Sequence, residues 1–441
     1  MLPYSNKRAL ASGSPCRKAP VPSTFKDHTP AISVALLSII ILSTQFLPSL
    51  PVYFAIVSSR AGGMIGAACI AMLVMGFSWQ QAVPRTKRSL LDHSAKGVII
   101  AFFVILLIVF QGAIVSRLIP LDVYRLGASL IPLLFLISGA IAISSALDSS
   151  SAEQINAVMW ISFSAFMTVI ALRAIGLQPR SSAYSHPAFP FSETSHFALA
   201  FGPVYLYRCV RARNSVQYLW IIFGLVTAIL LHSATLLAFA GGGALLCRKM
   251  LFLAALGAIP FIAGAASHLH YFTSRADISS HSSSISALVY LQGWEFIIRS
   301  LRETDGLGLG FQQLGVHSLS VPASALIRAM NNGKDLNTMD GSFLFSKLAS
   351  EMGVIGIALG VAYLVTCWKL IRRLRSCSVS PHDVFAACMF VGFGIDMFVR
   401  GIDYFYGGPL LFLGAFLSLP RGKGMFRVFT TADLERSIIF R

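Results

Sequence analysis

Long apolar runs alternate with short polar connectors along nearly the whole chain. The first run extends from Ala31 to about Val57, which is long enough to cross a hydrocarbon core. Pro48 and Pro51 predict a kink within it. Further runs predict spans at about 62–80, 97–116, 126–145, 154–176, 195–212, 216–232, 233–248, 250–267, 342–368, 384–400 and 403–420. The pattern therefore predicts an all-α polytopic membrane protein with about twelve transmembrane helices.

Polar segments divide the chain into five regions. They are a tail at 1–30, transmembrane helices one to nine at 31–267, a large loop at 268–341, transmembrane helices ten to twelve at 342–420, and a tail at 421–441. Within the loop, apolar residues at helical spacing from Ile285 to Leu301 predict an amphipathic helix over 285–303, lying on the membrane surface.

The distribution of charge fits a membrane protein better than a nucleic-acid-binding one. Only 12% of the residues are charged, yet 35 Lys and Arg stand against 18 Asp and Glu, a formal net charge of +17. The basic residues lie in short connectors and in the two tails, and the tails together with the connectors of one side hold 23 of the 35. The positive-inside rule therefore predicts cytoplasmic tails at both ends, with the large loop outside. We expect no nucleic-acid partner.

A first group of candidate functional residues lies in the predicted outer loop from His186 to His196. Ser192 is expected to cap the next helix, which places Glu193 and His196 one turn apart on one face. Such groups at the rim of a span suggest a site, because both are costly to desolvate. The alternative is a glutamate that stabilises the helix dipole and an imidazole in interfacial water. A metal site would need more carboxylate ligands, so we expect neither metal nor cofactor.

A second group combines two arginines with a glycine run in the large loop. Arg299 and Arg302 precede the run Gly306–Gly310. Guanidinium groups bind phosphate oxygens bidentately, and glycine turns can direct backbone N–H groups at an anion. The simpler interpretation is a surface ion pair between Glu295 and Arg299, one turn apart. The run is not a Walker loop, since no Lys-Ser/Thr follows it.

Two further groups lie near the last spans. Asp340 precedes span ten, and Lys347 and Glu351 fall one and two turns inside it. Their depth suggests a function, although residues at this spacing could simply neutralise each other. Arg400 and Asp403 form a candidate pair between spans eleven and twelve, which a structural clamp would explain equally well. Together the groups suit a substrate with a lipid tail, a phosphate and a sugar.

Four stretches of the chain resemble the bacterial superfamily of O-antigen and exopolysaccharide polymerases and O-antigen ligases. They are Pro190–Leu199 (PFSETSHFAL), Trp294–Phe311 with its Arg299 to Gly310 spacing, Asp340–Gly356, and Phe398–Tyr404. The order of the stretches, the number of spans and the large outer loop extend the resemblance over most of the chain.

The resemblance implies a metal-independent glycosyltransferase of the bacterial inner membrane. It would polymerise undecaprenyl-pyrophosphate-linked oligosaccharide repeat units at the periplasmic face, for exopolysaccharide or O-antigen synthesis. Its partners would be this lipid-linked oligosaccharide, membrane lipid, a flippase and a chain-length regulator. Glu193, His196 and Asp340 are the candidate bases that would activate the acceptor hydroxyl. Arg299 is the first candidate for binding pyrophosphate, and the other substrate-binding candidates are Arg302, Arg180, Arg328, Arg400 and His186.

Two alternatives to a polymerase remain open. The ligases carry a histidine eleven residues before the glycine that corresponds to Gly353, where this chain has Ser342, and this loss favours the polymerase. Thr194 replaces the usual proline of the first stretch, a mild change. A transporter or flippase with twelve spans would share the layout, but the sequence shows no two-fold hydropathy repeat and no pair of broken helices.

Overall fold

A computed structural model describes residues 32–57, 59–81, 84–177, 188–249, 277–317, 319–374 and 379–419. These residues form fourteen helices and two isolated β-bridges. The first nine helices are α1 Val34–Phe46, α2 Leu50–Tyr53, α3 Ala61–Gln81, α4 Pro84–Val115, α5 Val123–Asp148, α6 Ala152–Ala174, α7 Thr194–Arg211, α8 Asn214–Leu230 and α9 Ala234–Leu246. The last five are α10 Ile285–Glu303, α11 Pro322–Met330, α12 Leu344–Leu374, α13 Pro381–Phe398 and α14 Gly407–Leu417.

The helices follow the apolar runs of the sequence. A helix lies at each of the eleven predicted spans that fall within the described ranges. The predicted kink is observed, since α1 ends at Phe46 and Pro51 lies in the first turn of α2. The predicted tails 1–30 and 421–441, the span at 250–267, Arg180 and His186 lie outside the described residues.

Six stretches of helix in the described ranges are long and apolar enough to cross a membrane. They are Val34–Tyr53, Ala61–Ser78, Gly97–Val115, Val123–Asp148, Ala152–Ala174 and Leu344–Leu374. Large apolar side chains also cover the outside of the bundle, where Phe102 and Phe110 of α4 and Trp368 of α12 are more than half exposed. An apolar exterior of this extent is favourable in lipid and costly in water. The chain is therefore an all-α protein of the membrane type.

Contacts between helix ends define two ends of the bundle, which lie at the two ends of α13. At one end, Gln154 at the start of α6 donates a hydrogen bond to the carbonyl of Ile32 before α1 (2.8 Å), and His382 of α13 bonds the carbonyl of Leu147 in α5 (2.9 Å). At the opposite end, side chains join the starts of α3, α7 and α12 to the end of α13. We call this second end the site end.

Helix α10 has the predicted bounds, and one of its sides packs against the rest of the protein. Leu288, Phe296 and the small Gly293 are buried against the rest of the protein, whereas Ile298, expected on the apolar face, is exposed. The reason is a close approach at Gly293, where a Cβ would lie 2.7 Å from the ring of Phe343. Helix α10 therefore packs on the start of α12 and forms part of the site end.

Helix α12 is broken near its beginning. Gly353 has φ 59° and ψ −135°, a backbone conformation that L side chains rarely adopt. The glycine run fills the break, because the N–H groups of Leu309 and Gly310 donate to the carbonyls of Ser350 and Glu351 (both 2.9 Å). These N–H groups are thus engaged with the helix, contrary to the expectation that they face an anion.

Candidate functional site

Three of the four stretches singled out in the sequence contribute side chains to one polar group at the site end, together with the connector before α3. Each of these segments adjoins a helix end, so the packing of the bundle holds their side chains in place. We call the resulting group the polar cluster, which consists of Arg60, Ser192, Glu193, His196, Asp340, Lys347, Glu351, Arg400 and Asp403.

The loop before α7 is anchored by Phe191. The backbones of Ala188 and Phe191 exchange two hydrogen bonds (2.9 and 2.7 Å), and the Phe191 ring is buried beside the ring of Phe46 at 5.6 Å. Ser192 does not cap α7 as predicted, because Glu193 occupies the N-cap position. Instead the Ser192 hydroxyl accepts a hydrogen bond from Arg60 (3.0 Å) and so belongs to the polar cluster.

Arg60 determines which nitrogen of His196 carries the proton. Its Nη2 lies 3.0 Å from Nδ1 of His196, and the Ser192 Oγ lies at the same distance from this nitrogen. A guanidinium can only donate, so Nδ1 accepts and the proton of a neutral ring sits on Nε2. Nε2 in turn lies 4.0 Å from Oε2 of Glu193. His196 is therefore held as an oriented neutral imidazole, with Nδ1 unavailable to take a proton.

Glu193 joins α7 to the end of α13. Its Oε2 accepts hydrogen bonds from Ser195 Oγ (2.8 Å) and from Arg400 Nη2 (3.2 Å), and its side chain is half exposed. Partial burial would raise the pKa of Glu193, but its interactions with the His196 ring, with the charge of Arg400 and with the Ser195 hydroxyl outweigh this effect and lower the pKa to about 2. The carboxylate is therefore ionised at neutral pH and is a weak base.

Lys347 is a buried cation that binds three segments together. Its Nζ lies 2.9 Å from Oδ1 of Asp403 and donates to the Met339 carbonyl (2.8 Å) and to Gln312 Oε1 (3.3 Å). Its predicted partner Glu351 is farther, at 4.0 Å. A buried ammonium needs a close counter-charge, and Asp403 supplies it.

The predicted pair of Arg400 with Asp403 is wrong. Arg400 turns toward Glu193 (3.2 Å), and Asp403 turns inward to Lys347. The short connector thus distributes its two charges between two different neighbours. Because Asp403 also accepts the N–H of Tyr404 (2.7 Å), its carboxylate is fixed in this inward orientation.

Asp340 is the one predicted base whose carboxyl group is not engaged. It is partly buried, and its side chain makes no hydrogen bond or ion pair to any described residue. Burial raises the pKa of Asp340, the neighbouring charge of Asp403 raises it further, and Lys347, Arg60 and Arg400 oppose the shift. A carboxyl group with a raised pKa is a better proton acceptor at neutral pH than an ordinary one.

A cavity of about 330 Å³ opens beside the polar cluster. Glu193, Ser342 and Arg400 line its polar side, and Val289 of α10 and Phe398 of α13 contribute to its apolar wall. Ser342 is buried, and its hydroxyl has no hydrogen-bond partner among the described residues. The cavity therefore offers hydroxyl, guanidinium and carboxylate groups next to an apolar surface.

The arginines of α10 make no described contact with the polar cluster. Arg299 and Arg302 are exposed, and Arg299 forms its ion pair with Glu303 rather than with Glu295 as predicted. Glu295 instead accepts the N–H of Ala323 (2.9 Å), because α11 packs against this part of α10.

Arg328 lies elsewhere at the site end. It forms an ion pair with Asp335 (3.2 Å), and both residues line a separate cavity of about 360 Å³ together with His317. The predicted substrate-binding set is therefore divided, since Arg400 is in the polar cluster and the arginines of α10 and α11 make no described contact with it.

Arg60 is the member of the polar cluster that the sequence did not single out. It is a single cation in the short connector between α2 and α3, with no motif around it. A charge between two apolar runs is the only signal that could have drawn attention to it. Among the described residues, no group of three or more His, Cys, Asp and Glu side chains is placed to hold a metal ion.

Comparison of the chain with known protein families, with curated proteins and with solved structures finds no match.

Proposed function

We propose that this protein polymerises oligosaccharide repeat units carried on undecaprenyl pyrophosphate, at the periplasmic face of a bacterial inner membrane. In this proposal the chain spans the membrane twelve times with both tails in the cytoplasm. The site end and the loop at 268–341 then face the periplasm. The product would be an exopolysaccharide or O-antigen chain.

The observation that carries the proposal is the position of Asp340. Its unengaged carboxyl group lies within electrostatic reach of Arg60, Lys347 and Arg400. Arg400 also lines the cavity that has polar and apolar walls, as does Ser342, two residues after Asp340. Glycosyl transfer from a lipid pyrophosphate needs a base, cationic groups for the leaving phosphate and an apolar surface for the lipid. The site end combines these three features.

The proposed reaction assigns a role to each group. The Asp340 carboxylate takes the proton from an acceptor hydroxyl as the hydroxyl oxygen bonds to the anomeric carbon of the donor sugar. The bond from this carbon to the pyrophosphate oxygen breaks, and Arg400 stabilises the negative charge that develops there. Ser342 contacts a sugar hydroxyl, and Glu193 orients Arg400 through their ion pair.

A second candidate function is transport of a lipid-linked glycan. Helix α12 breaks at Gly353, and the first apolar run breaks between Phe46 and Leu50. Discontinuous helices line the substrate sites of many secondary transporters. The prolines predicted the break in the first run, whereas the break at Gly353 was not predicted. Because two helices are discontinuous, transport is the alternative against which the polymerase must be tested. Transfer to a lipid acceptor, the ligase reaction, differs only in the acceptor.

The test is the size distribution of the host's surface polysaccharide. A deletion strain is complemented with wild type, with Asp340→Asn or with Asp383→Asn, whose carboxyl lies at the opposite end and pairs with Arg373. A polymerase predicts long chains with wild type and Asp383→Asn, and single repeat units with Asp340→Asn. If the strain with Asp340→Asn still makes long chains but these chains stay on the lipid carrier, the protein is a ligase. Loss of all surface glycan, single units included, would indicate transport.

A further inference from the structure

Three buried side chains, each with a polar atom that has no hydrogen-bond partner among the described residues, line one small cavity between α1, α7, α13 and α14. They are Gln45, Asp396 and Tyr406, which are 6%, 1% and 6% exposed. Both amide atoms of Gln45, Oδ1 of Asp396 and the Tyr406 hydroxyl lack a hydrogen-bond partner among the described residues. His196 of the polar cluster lines the same cavity, which we call the inner cavity.

The inner cavity has the size and the lining of a water site. Its volume is about 30 Å³, and one ordered water needs roughly 10–15 Å³ and two to four polar partners. Buried polar groups are nearly always hydrogen-bonded in folded proteins, to ordered water where protein partners are absent. The three unpartnered side chains supply the donors and acceptors that such a water requires.

An ionised Asp396 would need a counter-charge, and no described cation lies where it could neutralise this carboxylate. The groups that approach it from the packed helices are His196 of α7, Gln45 of α1, Tyr406 before α14 and Tyr363 of α12. None is a lysine or an arginine, and Asp396 makes no ion pair with any described residue. Tyr363 donates its own proton to the carbonyl of Phe390 (2.7 Å). An isolated ionised carboxylate is costly in such a place, so a proton or a bound cation must neutralise it.

We propose that the inner cavity is a hydrated proton-binding site. Asp396 is held there as the neutral carboxylic acid, and ordered water bridges it to Gln45 and Tyr406. The neutral acid can donate to water while its carbonyl oxygen accepts, which satisfies both oxygens. The ligands of the site are thus water and one proton, and the site lies beneath the polar cluster without depending on the reaction proposed above.

Infrared spectroscopy of the full-length protein in lipid nanodiscs tests this proposal directly. A protonated carboxyl gives a C=O stretching band, separate from carboxylate bands, that shifts when H₂O is replaced by D₂O. We expect such a band at neutral pH in wild type, and its loss in Asp396→Asn. Glu351 is also fully buried, and in its protonated form it would absorb in the same region. The quantity measured is therefore the spectrum of wild type minus the spectrum of Asp396→Asn. The matched control is Asp148→Asn near His382 at the opposite end, which should leave the difference band intact.

Two further measurements distinguish the outcomes. Labelling aspartate carboxyls with ¹³C shifts the band without any substitution, which covers the case that Asp396→Asn does not fold. Gln45→Leu removes the amide that binds the water, which should raise the frequency of the Asp396 band because the acid loses a hydrogen bond. The absence of an aspartate band in wild type would overturn the proposal. A band that appears only when Na⁺ is removed would also overturn it, because the cavity would then bind a cation.

Discussion

Arg60 donates a hydrogen bond to Nδ1 of His196 over 3.0 Å and thereby joins the connector before α3 to the first turn of α7. The same guanidinium nitrogen donates to Ser192 (3.0 Å). Since the ring nitrogen can only accept from a guanidinium, the contact fixes the tautomer of His196 and directs its Nε2 proton toward Glu193. Of the three predicted bases, His196 is thus the one whose ring nitrogens are both engaged or protonated, and we expect it to position Glu193 and not to act as the base.

Removing the Arg60 donor should expose a dependence on Ser192. In Arg60→Met, the Ser192 hydroxyl is the remaining donor to Nδ1 of His196, and we expect a loss of about 1–3 kcal/mol in stability, the usual cost of a lost buried charged hydrogen bond. Ser192→Ala should cost less alone, because Arg60 still serves His196, and more in the Arg60→Met background. Unfolding in detergent for the four proteins of this cycle measures the coupling.

The exposed Arg299 provides the control for that cycle, since its one described ion pair, with Glu303, lies within α10. Arg299→Met should change stability by no more than a few tenths of a kcal/mol. Strictly additive effects of Arg60→Met and Ser192→Ala would contradict the shared role in holding His196.

We expect Lys347 to contribute more to the free energy of unfolding than any other cation of the polar cluster. Lys347→Met leaves Glu351 and Asp403 without their cation, and breaking a buried pair in this way typically costs about 3–5 kcal/mol. Lys347→Met with Asp403→Asn should recover part of this loss, because one uncompensated charge is removed. A double variant that is less stable than Lys347→Met would show that Asp403 does not balance Lys347. Thermal unfolding in detergent measures both.

Asp340→Asn should lower the rate of glycosyl transfer by about 10²–10⁴-fold, the usual contribution of a general base. The base acts in its ionised form, and the pKa of Asp340 is raised by burial and by Asp403. The wild-type rate should therefore fall with decreasing pH at a midpoint above the ordinary value of about 3.9 for Asp. Rates of wild type and Asp340→Asn across a pH series measure this, and an equal pH dependence in both would exclude Asp340 as the base.

Glu193 should stabilise the protein in a pH-dependent way. Its pKa falls from an ordinary 4.5 to about 2 on folding, so its contribution is complete above 4.5 and disappears as pH falls toward 2. Glu193→Gln should therefore lower the unfolding temperature at neutral pH, and the difference from wild type should shrink below pH 4.5. A difference that stays constant down to pH 3 would mean that Glu193 acts through packing and not through charge.

The positions of the helices could be predicted because the length of an apolar run decides whether a helix forms in lipid. Helix α10 was predicted with its observed bounds, and α4 begins at Pro84, earlier than the span predicted from 97, because proline is favourable in a first helical turn. The buried face of α10 could not be predicted, since Gly293 admits the ring of Phe343 and so decides which side packs.

Sequence spacing was a poor guide to the ion pairs. The spacing rule paired Lys347 with Glu351, Arg400 with Asp403 and Glu295 with Arg299. In the fold, Asp403 is the nearer partner of Lys347. Arg400 forms its ion pair with Glu193, which is 207 residues away in sequence. A buried charge is satisfied by whatever group the tertiary structure brings closest, and sequence spacing contains no information about that. Arg60 was not predicted as a site residue because its partners Ser192 and His196 also lie far from it in sequence.

Reconstitution of the purified protein with a synthetic lipid-pyrophosphate oligosaccharide tests the central claim most directly. The protein is placed in liposomes with the donor and acceptor in the same leaflet, and the chain length of the products is measured by mass spectrometry. We predict that wild type makes lipid-linked products of two and more repeat units without added metal, and that Asp340→Asn makes none. Wild-type liposomes that move the intact donor between leaflets without lengthening it would contradict the polymerase and favour transport.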